Sequence, residues 1–459
     1  MRHRAVVTGI GLVTPVGTGV AEFWNRARAG SAACAPLPEH WRLYYEPQST
    51  IWAPLPSHDF SAFDISRIEA SQLDRAQQIA LACARQALDA AGLGYELRDA
   101  KKNTFAVTGV DPLGFGVFVG TGIGGATTLL STAVSHVGLP LLAGLDHLRR
   151  RLAEEGTSPD ALAEIEALRS GLRAPARFDT FAVTRAMPNG CSAVVGIKYG
   201  LLGRNATCAG ACAAGTIAIG QALRAVRSGE MTLALAGGVE YLADDWGGVF
   251  RGFDVVRTLV RAGDDPARAN RPFDARRSGF LFAEGGGSIL VVEELEHARR
   301  RGAPMIAELL GYGETFDAHS VMMMEPSGKH VERMVRQALD DAQVTPEEID
   351  YVNAHGTGTT LNDETESAML RRVFGQHPLV NATKGLVGHT IGAGGAIEAA
   401  VTALSLRDQT THPCVNLEEP IGGLRYVREQ GRFRMACALS ESFAFGGHNA
   451  AVVMKEIRP

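Results

Sequence analysis

The chain has 459 residues, hydrophobic residues make up 46% of it, and its formal net charge at pH 7 is −5. Apolar content this high with so small a net charge excludes a predominantly disordered protein, and the near balance of basic and acidic residues gives no sign of a nucleic-acid-binding surface. The 53 glycines occur in separate clusters, which predicts many tight turns and close backbone approaches, as in an α/β enzyme.

The N-terminal segment begins with basic residues and a short apolar run that ends at Gly9. A signal peptide needs a longer apolar region and a cleavage site, so a first strand and a turn are predicted instead. Apolar runs such as residues 233–239 and 289–292 are far shorter than the roughly 18 residues of a membrane span, and no membrane association is expected. The seven cysteines are scattered and include no C-x-x-C pair, which indicates free thiols in a reducing cytoplasm and no structural zinc.

Short apolar runs bounded by glycine or charge predict five buried strands. Helical patterns, such as residues 73–91 and 329–342, lie between them. This alternation predicts an α/β fold with largely buried sheets. In chain order, the predicted strands are residues 5–8, 116–119, 233–235, 288–292 and 351–353.

A weak internal repeat links two parts of the chain. Residues 211–229 and 388–408 both begin in small residues and continue as an Ala-rich apolar helix with an arginine near its end. An apolar strand follows each helix, at residues 231–236 and 435–439. Helices so apolar should be buried. The repetition indicates a duplicated α/β/α/β/α architecture, and chance similarity of two Ala-rich helices is the alternative.

Residues 139–177 differ from the rest of the chain. Segments 141–155 and 159–172 are amphipathic and charged, with Gly156 between them, which predicts a helical hairpin inserted into the fold. Its apolar stripes must be buried against something, so the hairpin is expected at a subunit interface or over a pocket. A hairpin folded back on its own subunit is the alternative. The stripes are Leu141, Leu145, Leu148 and Leu152 in the first segment and Leu162, Ile165, Leu168 and Leu172 in the second.

Cys212 is the first candidate for chemistry. It follows Gly210 and Ala211 and directly precedes the first repeated helix. A thiol at a helix N-terminus lies at the positive end of the helix dipole, which lowers its pKa and favours the nucleophilic thiolate. Its small neighbours leave room for a substrate, whereas an inert core cysteine is the alternative. Cys208 lacks the helix-start position and is expected to be structural.

Two histidines and a lysine lie at comparable strand–helix junctions. His355 follows an apolar strand among glycines and threonines, and Lys384 and His389 lie five residues apart at the start of the second repeated helix. One such histidine is more often structural, but this set at the junctions of two related halves indicates a shared site. Residues 443–447 form a further Gly-rich element, suited to supply backbone N–H donors or a mobile aromatic gate.

Residues 120–125 match the G-x-G-x-x-G fingerprint of dinucleotide-binding proteins. An acidic residue, Asp146, lies at about the expected distance, but within a helical run and not at the end of a second strand. The fingerprint is therefore weak, and NAD binding is not expected.

Together these motifs resemble the β-ketoacyl-acyl-carrier-protein synthases of the thiolase superfamily, most of all the synthase II type. The resemblance implies the duplicated, five-layered α/β/α/β/α thiolase fold and a dimer. It implies an N-terminal half at 1–302, which carries the cysteine and the insertion near 139–177, and a C-terminal half at 303–459, which carries the histidines, the lysine and a gating phenylalanine. The matching motifs surround Cys212, His355 and His389, and further matches are residues 271–274, 278–280 and 441–447.

The resemblance also implies the reaction, a decarboxylative Claisen condensation. Cys212 would take an acyl chain from an acyl carrier protein, and the backbone N–H groups of Cys212 and Phe445 would form the oxyanion hole. His355 and His389, as neutral Nε2 donors, would hold the carbonyl oxygen of a malonyl thioester while CO2 leaves. Gly446 and Gly447 would complete the loop of the gate.

Other implied roles concern support and binding. Lys384 would pair with Glu366 and keep the histidines oriented, and Thr357 and Thr359 would bind the pantetheine arm of the carrier. No metal or tightly bound cofactor is required. Of the basic residues that the family offers to its acidic carrier protein, Arg67 and Arg257 remain, together with Arg75.

Three departures from the family pattern favour a specialised synthase. Ala444 replaces the first glycine of the gate, which restricts the backbone there. Residues 68–74 lack most of the basic patch, and the insertion at 139–177 falls where the family builds its interface and the end of its acyl pocket. These departures favour polyketide or polyene assembly over housekeeping fatty-acid elongation.

Two rival functions stay open at this stage. An acyltransferase or a malonyl decarboxylase on the same fold needs Cys212 or the histidine pair, but not both steps. A structural subunit that controls chain length in a heterodimer is the rival outside enzymes. Because Cys212 is present, a catalytic chain is expected, as a homodimer or as a heterodimer with a related subunit.

Overall fold

The computed structural model describes residues 2–42, 45–57, 59–156, 158–171, 180–263 and 265–457. The five predicted strands lie within β1, β7, β9, β10 and β12. The strands are β1 (Ala5–Thr14), β2 (Gly17–Thr18), β3 (Ala35–Pro36), β4 (Ile51–Trp52), β5 (Gly94–Asp99), β6 (Thr104–Thr108), β7 (Phe115–Thr121), β8 (Asn205–Ala209), β9 (Leu233–Tyr241), β10 (Gly285–Glu294), β11 (Ala307–Phe316), β12 (Tyr351–Asn353), β13 (Leu379–Asn381), β14 (Arg425–Tyr426), β15 (Cys437–Phe443) and β16 (His448–Glu456).

The α-helices alternate with these strands along the chain. They are α1 (Val20–Arg28), α2 (Arg67–Gln72), α3 (Arg75–Ala90), α4 (Ala126–Glu154), α5 (Pro159–Gly171), α6 (Ala182–Ala186), α7 (Gly190–Tyr199), α8 (Ala214–Ser228), α9 (Gly248–Val255), α10 (Leu295–Arg300), α11 (Lys329–Ala342), α12 (Thr360–Phe374), α13 (Lys384–Val387) and α14 (Gly394–Asp408).

The strand order shows the internal duplication directly. One hydrogen-bonded sheet runs in the order β14-β13-β12-β15-β16-β11-β1-β10-β9-β7-β8, with β2 beside β1. The sets β8-β7-β9-β10-β1 and β13-β12-β15-β16-β11 match, because in each the first two pairings are parallel and the last two antiparallel. The two sets meet where β1 pairs with β11. The duplicated α/β architecture predicted from the repeat is confirmed.

The two repeated helices form the middle layer. In the chain, α8 lies between β8 and β9, and α14 lies between β13 and β15. Both helices are Ala-rich and largely buried. Gly215 and Gly395 mark the point where they cross, since an added Cβ would lie 2.8 Å from the backbone nitrogen of Ala396 and 2.1 Å from Oγ1 of Thr216, respectively. Backbones this close leave no room for a side chain at either glycine.

Further helices cover the outer faces and complete the layers. α3 packs on β1, β9 and β10, and α11 packs on β11 and β16. α3 begins with a capping box, in which the Asp74 carboxylate accepts from the backbone of Ala76 and the Gln77 side chain accepts from the backbone of Asp74. This cap satisfies N–H groups that would otherwise be unpaired at the buried helix start.

The insertion is a helical hairpin, but its first helix starts earlier than predicted. α4 begins at Ala126 and continues through Pro140, although proline disfavours a helix interior, whereas the prediction placed the first helical segment at 141–155. The second half of α4 lies beside α5, held by a 2.7 Å ion pair between Arg169 and Asp146. Ile165 is buried. Leu172 and Arg177, which the prediction included, lie outside the described residues.

α4 bears on the expectation that the chain has no membrane association. It is 29 residues long and, by length and composition alone, apolar enough to cross a membrane, and only 12% of its apolar window is buried. One such helix is weak evidence for a membrane span, and the expectation stands. Several apolar residues on this hairpin are exposed, such as Leu129, Val137, Leu141 and Leu168. A helix that packs at a subunit interface would be equally apolar.

Candidate active site

Cys212 lies in a tight turn that aims it at the centre of the molecule. Residues Ala211–Ala213 form a single 3₁₀ turn between β8 and α8, and Cys212 is 2% exposed. Ala211 has φ 45°, in the left-handed region that non-glycine residues rarely adopt. The equivalent turn before α14 is Ile391–Ala393, and Ile391 has φ 47°. The duplication therefore extends to the strained residue of the turn.

The thiol is not preset as a thiolate, contrary to the sequence-based expectation. Burial raises the pKa of Cys212 to about 12, because an apolar setting disfavours the charged form. The positive charge of Lys384 and the backbone N–H groups of Phe445 and Cys212 itself oppose this effect without overcoming it. Desolvation therefore dominates the pKa of this thiol, despite its position at a helix start.

His389 and His355 lie side by side next to the thiol. Nε2 of His389 is 3.1 Å from Sγ of Cys212, and the two imidazole rings are 5.6 Å apart and nearly perpendicular. Burial, together with the nearby Lys384 charge, lowers the pKa of each histidine well below 6.5. Both rings are therefore neutral at physiological pH.

The hydrogen bonds on the far side of each ring fix its tautomer. Nδ1 of His389 accepts from the backbone of Ile391 at 3.3 Å, and Nδ1 of His355 lies 3.1 Å from Nζ of Lys384, which has only protons to donate. A neutral ring whose Nδ1 accepts must carry its proton on Nε2. We assign that tautomer to both histidines, so each has an Nε2–H donor.

Lys384 pairs with Glu398, which corrects the predicted pairing with Glu366. Nζ of Lys384 forms a buried ion pair with Glu398 and donates to the His355 carbonyl at 2.7 Å. Glu366 instead accepts from the backbone N–H groups of His355 at 2.7 Å and Gly356 at 2.9 Å. The missed signal is in the sequence, because Glu398 is the one acidic residue in the apolar body of α14.

Glu240 is a second carboxylate that sequence reasoning missed. It is fully buried and accepts from the Thr121 hydroxyl at 3.0 Å and from the backbone of Gly122 at 2.6 Å and Gly392 at 3.1 Å. Burial raises its pKa to about 7. It ties the glycine loop after β7 to the turn after His389, which gives the G-x-G-x-x-G segment a structural use here.

A cavity of about 290 Å³ brings together half of the predicted site residues. The hydroxyls of Thr357 and Thr359 lie 2.9 Å apart in its wall. Three consecutive methionines, Met322–Met324, which the sequence analysis did not single out, form another part of that wall. The cavity is lined by Cys212, Thr258, Phe280, Met322, Met323, Met324, His355, Thr357, Thr359, Leu361, Asn362, His389, Phe443, Ala444 and Phe445.

The predicted gate loop borders this cavity. The Phe445 ring stacks on Phe253 of α9, with the ring centroids 6.0 Å apart. Gly446 and Gly447 have φ 83° and 84°, a backbone conformation that favours glycine. Ala444 does not share it, so the departure from the family's glycine places no strain on this conformation.

The two arginines predicted for carrier docking lie on the surface. Arg257 is exposed and directly precedes Thr258 of the cavity wall. Arg67 is exposed at the first residue of α2 and is not among the cavity-lining residues. The structure therefore brings one of the two next to the site entrance.

Comparison with known proteins gives consistent matches along the chain. The family model described as β-ketoacyl synthase, N-terminal domain, matches residues 2–298, and the C-terminal domain model matches residues 306–418. The 3-oxoacyl-[acyl-carrier-protein] synthase 2 of Coxiella burnetii is 32% identical over 463 residues, which cover 99% of each chain.

Two solved structures are similar over the whole chain. One is a type II PKS acyl-carrier protein in complex with its ketosynthase, AntDE:AntF, with a TM-score of 0.79 and 26% identity over 100% of both chains. The other is the ishigamide ketosynthase/chain length factor, with a TM-score of 0.78 and 28% identity over 100% of both chains. Both similarities extend beyond the duplicated core to the full length of the chain.

Proposed function

The chain belongs to the β-ketoacyl synthase family and is an acyltransferase-type enzyme, and we propose that it joins a Cys212-bound acyl chain to malonyl-ACP by decarboxylative condensation. The observation that carries the proposal is the convergence of the Cys212 thiol and two neutral histidines on one cavity. A nucleophile beside paired neutral donors suits acyl transfer followed by enolate formation.

Acyl transfer is the first step. The sulfur of Cys212 attacks the thioester carbonyl of an acyl carrier protein, the carrier's C–S bond breaks, and the carrier leaves as a thiol with the proton that Cys212 loses. The backbone N–H groups of Cys212 and Phe445, both of which lower the pKa of the thiol, would stabilise the oxyanion of the tetrahedral intermediate. Each such donor is typically worth about 3–4 kcal/mol.

Decarboxylation and condensation follow. The malonyl thioester loses CO2, and Nε2–H of His355 and of His389 donate to its carbonyl oxygen as the enolate forms. The enolate carbon then attacks the acyl carbonyl on Cys212, the C–S bond to the cysteine breaks, and the thiolate takes one proton from solvent. Neutral histidines serve this step, because their donors stabilise developing charge without giving up a proton.

Lys384, Glu398 and Glu366 act behind the reacting atoms. The Lys384–Glu398 ion pair holds Nδ1 of His355, so the ring keeps its Nε2–H toward the cavity. Glu366 holds the backbone of the same histidine. Glu366 therefore keeps a role in the proposal, but as a support for the loop and not as the partner of the lysine.

The carrier protein is the proposed macromolecular substrate. The related AntDE:AntF structure is a ketosynthase bound to an acyl-carrier protein, and the paired hydroxyls of Thr357 and Thr359 in the cavity wall suit the amide groups of a pantetheine arm. Arg257, exposed beside the cavity, suits an acidic carrier surface. Arg67 is a weaker candidate, since its link to the entrance rests on the family resemblance alone.

We propose a dimer and a polyketide or polyene context. Exposed apolar side chains, among them Leu129, Val183 and Ile197, would be covered by a second subunit, and one structural relative pairs a ketosynthase with a chain length factor. The type II PKS relative supports polyketide assembly, whereas the curated relative is a 3-oxoacyl-[acyl-carrier-protein] synthase 2. Homodimer and heterodimer both fit this surface.

Two further expectations stay proposals. A division of the chain at residue 302 into two thiolase-like halves is supported by the family models, which match 2–298 and 306–418. A cytoplasmic location is supported by the seven cysteines, all of which are free thiols, as a reducing compartment would keep them.

The test is a reconstitution with purified protein, acyl-ACP and malonyl-ACP. Formation of a β-ketoacyl-ACP with equimolar CO2 supports the proposal. CO2 without a new carbon–carbon bond would indicate a decarboxylase, and acyl exchange without CO2 an acyltransferase. If neither occurs and cerulenin forms no adduct at Cys212 by intact-protein mass spectrometry, the chain is a structural subunit.

A further inference from the structure

Three carboxyl groups are buried together behind the histidines, and a lysine pairs with one of them. Glu366 on α12, Glu398 on α14 and Glu441 on β15 are 0%, 1% and 0% exposed. Lys384 neutralises Glu398. If the other two were both ionised, two uncompensated negative charges would lie side by side in the interior, an arrangement that desolvation makes very costly.

Glu366 has the contacts of an ionised carboxylate. It accepts from the backbone of His355 at 2.7 Å, from the backbone of Gly356 at 2.9 Å and from the Asn362 amide at 3.0 Å. All three partners are N–H donors, which favour the charged form. Glu366 is thus the member of the group that binds the loop carrying His355.

Glu441 has the opposite surroundings. In the described part of the chain, no N–H or hydroxyl donor reaches either of its carboxylate oxygens, and the side chain that it meets is the carboxyl group of Glu366. β15 runs parallel to β12 with Ser440 opposite Asn353, so Glu441 lies behind the turn that leads to His355. A carboxyl group without donors can be satisfied only by carrying a proton that it donates itself.

We propose that Glu441 is a neutral carboxylic acid that donates its proton to Glu366 and thereby positions the loop of His355 for malonyl decarboxylation. This inference rests on the proposed function and adds a positioning residue to it. The sequence showed Glu441 only as part of the motif before the gate. Its role is to give Glu366 a donor on the side that the backbone of the histidine loop does not reach.

The titration of the pair follows from its neighbours. Burial and the adjacent Glu366 raise the pKa of Glu441 well above its ordinary value, and Glu398 adds to the effect. The other charged or titratable groups nearby are Asp363 on α12, Lys384 and His355. Because the pair shares one proton below this raised pKa and repels itself above it, His355 should lose its position as pH rises, and the acid side should be unaffected.

Three variants test whether Glu441 acts as a proton donor to Glu366 or only occupies the space beside it. In Glu441→Gln the amide N–H replaces the acid proton, so the rate of CO2 release from malonyl-ACP should stay within about twofold of wild type and lose its alkaline decline. Glu441→Ala and Glu441→Asp should each reduce that rate roughly tenfold or more, because Glu366 is left without its donor. Acylation of Cys212 should be retained in all three variants.

Glu240→Gln is the matched control. Glu240 is equally buried but accepts from several N–H and O–H donors. In Glu240→Gln, the N–H group of the new amide would face these donors and would find no acceptor among them. This variant should be impaired where Glu441→Gln is not. Infrared spectra of the resting enzymes add a readout free of turnover, since wild type should show the carbonyl stretch of a protonated carboxyl group that Glu441→Gln lacks.

The outcomes distinguish this inference from the proposed function. If wild type releases no CO2, the proposed function fails, while the infrared band still decides the state of Glu441. If wild type is active and Glu441→Gln is as impaired as Glu441→Ala, the proposal that Glu441 and Glu366 share a proton is wrong. The described residues include no group of His, Cys, Asp and Glu arranged to hold a metal ion. Activity that is lost in tetramethylammonium buffers and restored by Na⁺ or K⁺ would show that a bound cation, and not a shared proton, stabilises the two carboxyl groups. That result would overturn the proposal.

Discussion

The Nε2 atom of His389 lies 3.1 Å from the sulfur of Cys212, although 177 residues separate them in the sequence. Each residue belongs to the start of one of the two central helices, and the crossing of those helices at Gly215 and Gly395 brings the two starts together. The contact is therefore a product of the duplication, and neither half could form the site alone.

Replacing Cys212 with alanine should abolish acyl transfer and condensation, because the chain then lacks the nucleophilic thiol that would receive the acyl chain. Malonyl decarboxylation should persist through His355 and His389. Labelled acyl-ACP followed by intact-protein mass spectrometry measures the acyl-enzyme. Cys208→Ala, which removes a buried thiol on the neighbouring strand β8, is the control and should keep the label. Thioester-bound label in the Cys212 variant would show that another residue is the nucleophile.

His355→Ala and His389→Ala should each retain acylation of Cys212 and slow CO2 release by about a hundredfold to a thousandfold, the usual effect of removing one donor to developing negative charge. A quenched assay that follows acyl-enzyme and CO2 in the same sample measures both steps. Normal CO2 release in both variants would remove the histidines from the decarboxylation step.

The histidines also set the pH dependence of that step. Since the pKa of each is held well below 6.5, both remain neutral as pH falls through the range where an ordinary histidine takes a proton. Single-turnover CO2 release from preformed acyl-enzyme should therefore show no decline around pH 6.5, where an ordinary histidine takes a proton, and should fall only at lower pH. A protonation midpoint near 6.5 would mean that at least one ring is charged in the working enzyme.

The corrected ion pair can be tested through stability. Glu398→Ala leaves the buried Lys384 charge without a partner and should lower the free energy of unfolding by about 3–5 kcal/mol. Lys384→Ala should be similarly costly, and the double variant should cost less than the sum of the two. Urea denaturation of the four proteins gives the coupling energy. A parallel cycle of Lys384 with Glu366 should show much weaker coupling, and the reverse ranking would restore the pairing first predicted.

The insertion is expected at a subunit boundary, where it would influence chain length. Because α4 is continuous through residue 139, deleting 139–177 would cut a helix, and point substitutions are a cleaner test. Leu141 and Leu168 are 53% and 59% exposed, so changing both to glutamate should leave the monomer folded and weaken the dimer. Light scattering and the product-length distribution check this prediction. Unchanged mass together with unchanged products would make the hairpin a surface excursion.

The sequence predicted most of the fold because the relevant patterns are local. The buried runs that became β1, β7, β9, β10 and β12 are bounded by glycine or charge, and the repeated Ala-rich helices stand out by composition. The start of α4 was missed because a proline usually marks a helix boundary, whereas this helix continues past it.

The sequence predicted which residues lie in the candidate site better than it predicted their protonation states and ion-pair partners. Motif positions brought Cys212, His355, His389 and Lys384 together correctly. The state of the thiol was wrong, since helix position is visible in a sequence while the desolvation that raises its pKa is not. The partner of Lys384 was also wrong, because the choice between Glu366 and Glu398 depends on how α12 and α14 pack in three dimensions.

The paired turns before α8 and α14 have a consequence for how many nucleophiles one chain can hold. Gly392 occupies the position in its turn that Cys212 occupies in the other. A Cβ on Gly392 would lie 2.3 Å from the backbone nitrogen of Gly122 and 2.6 Å from the Glu240 carboxylate. The second turn is thus sealed against any side chain, and its N–H groups already bind His389 and Glu240. Only one of the two matching turns in each chain therefore has room for a nucleophilic side chain, so each subunit would have one point of acyl attachment.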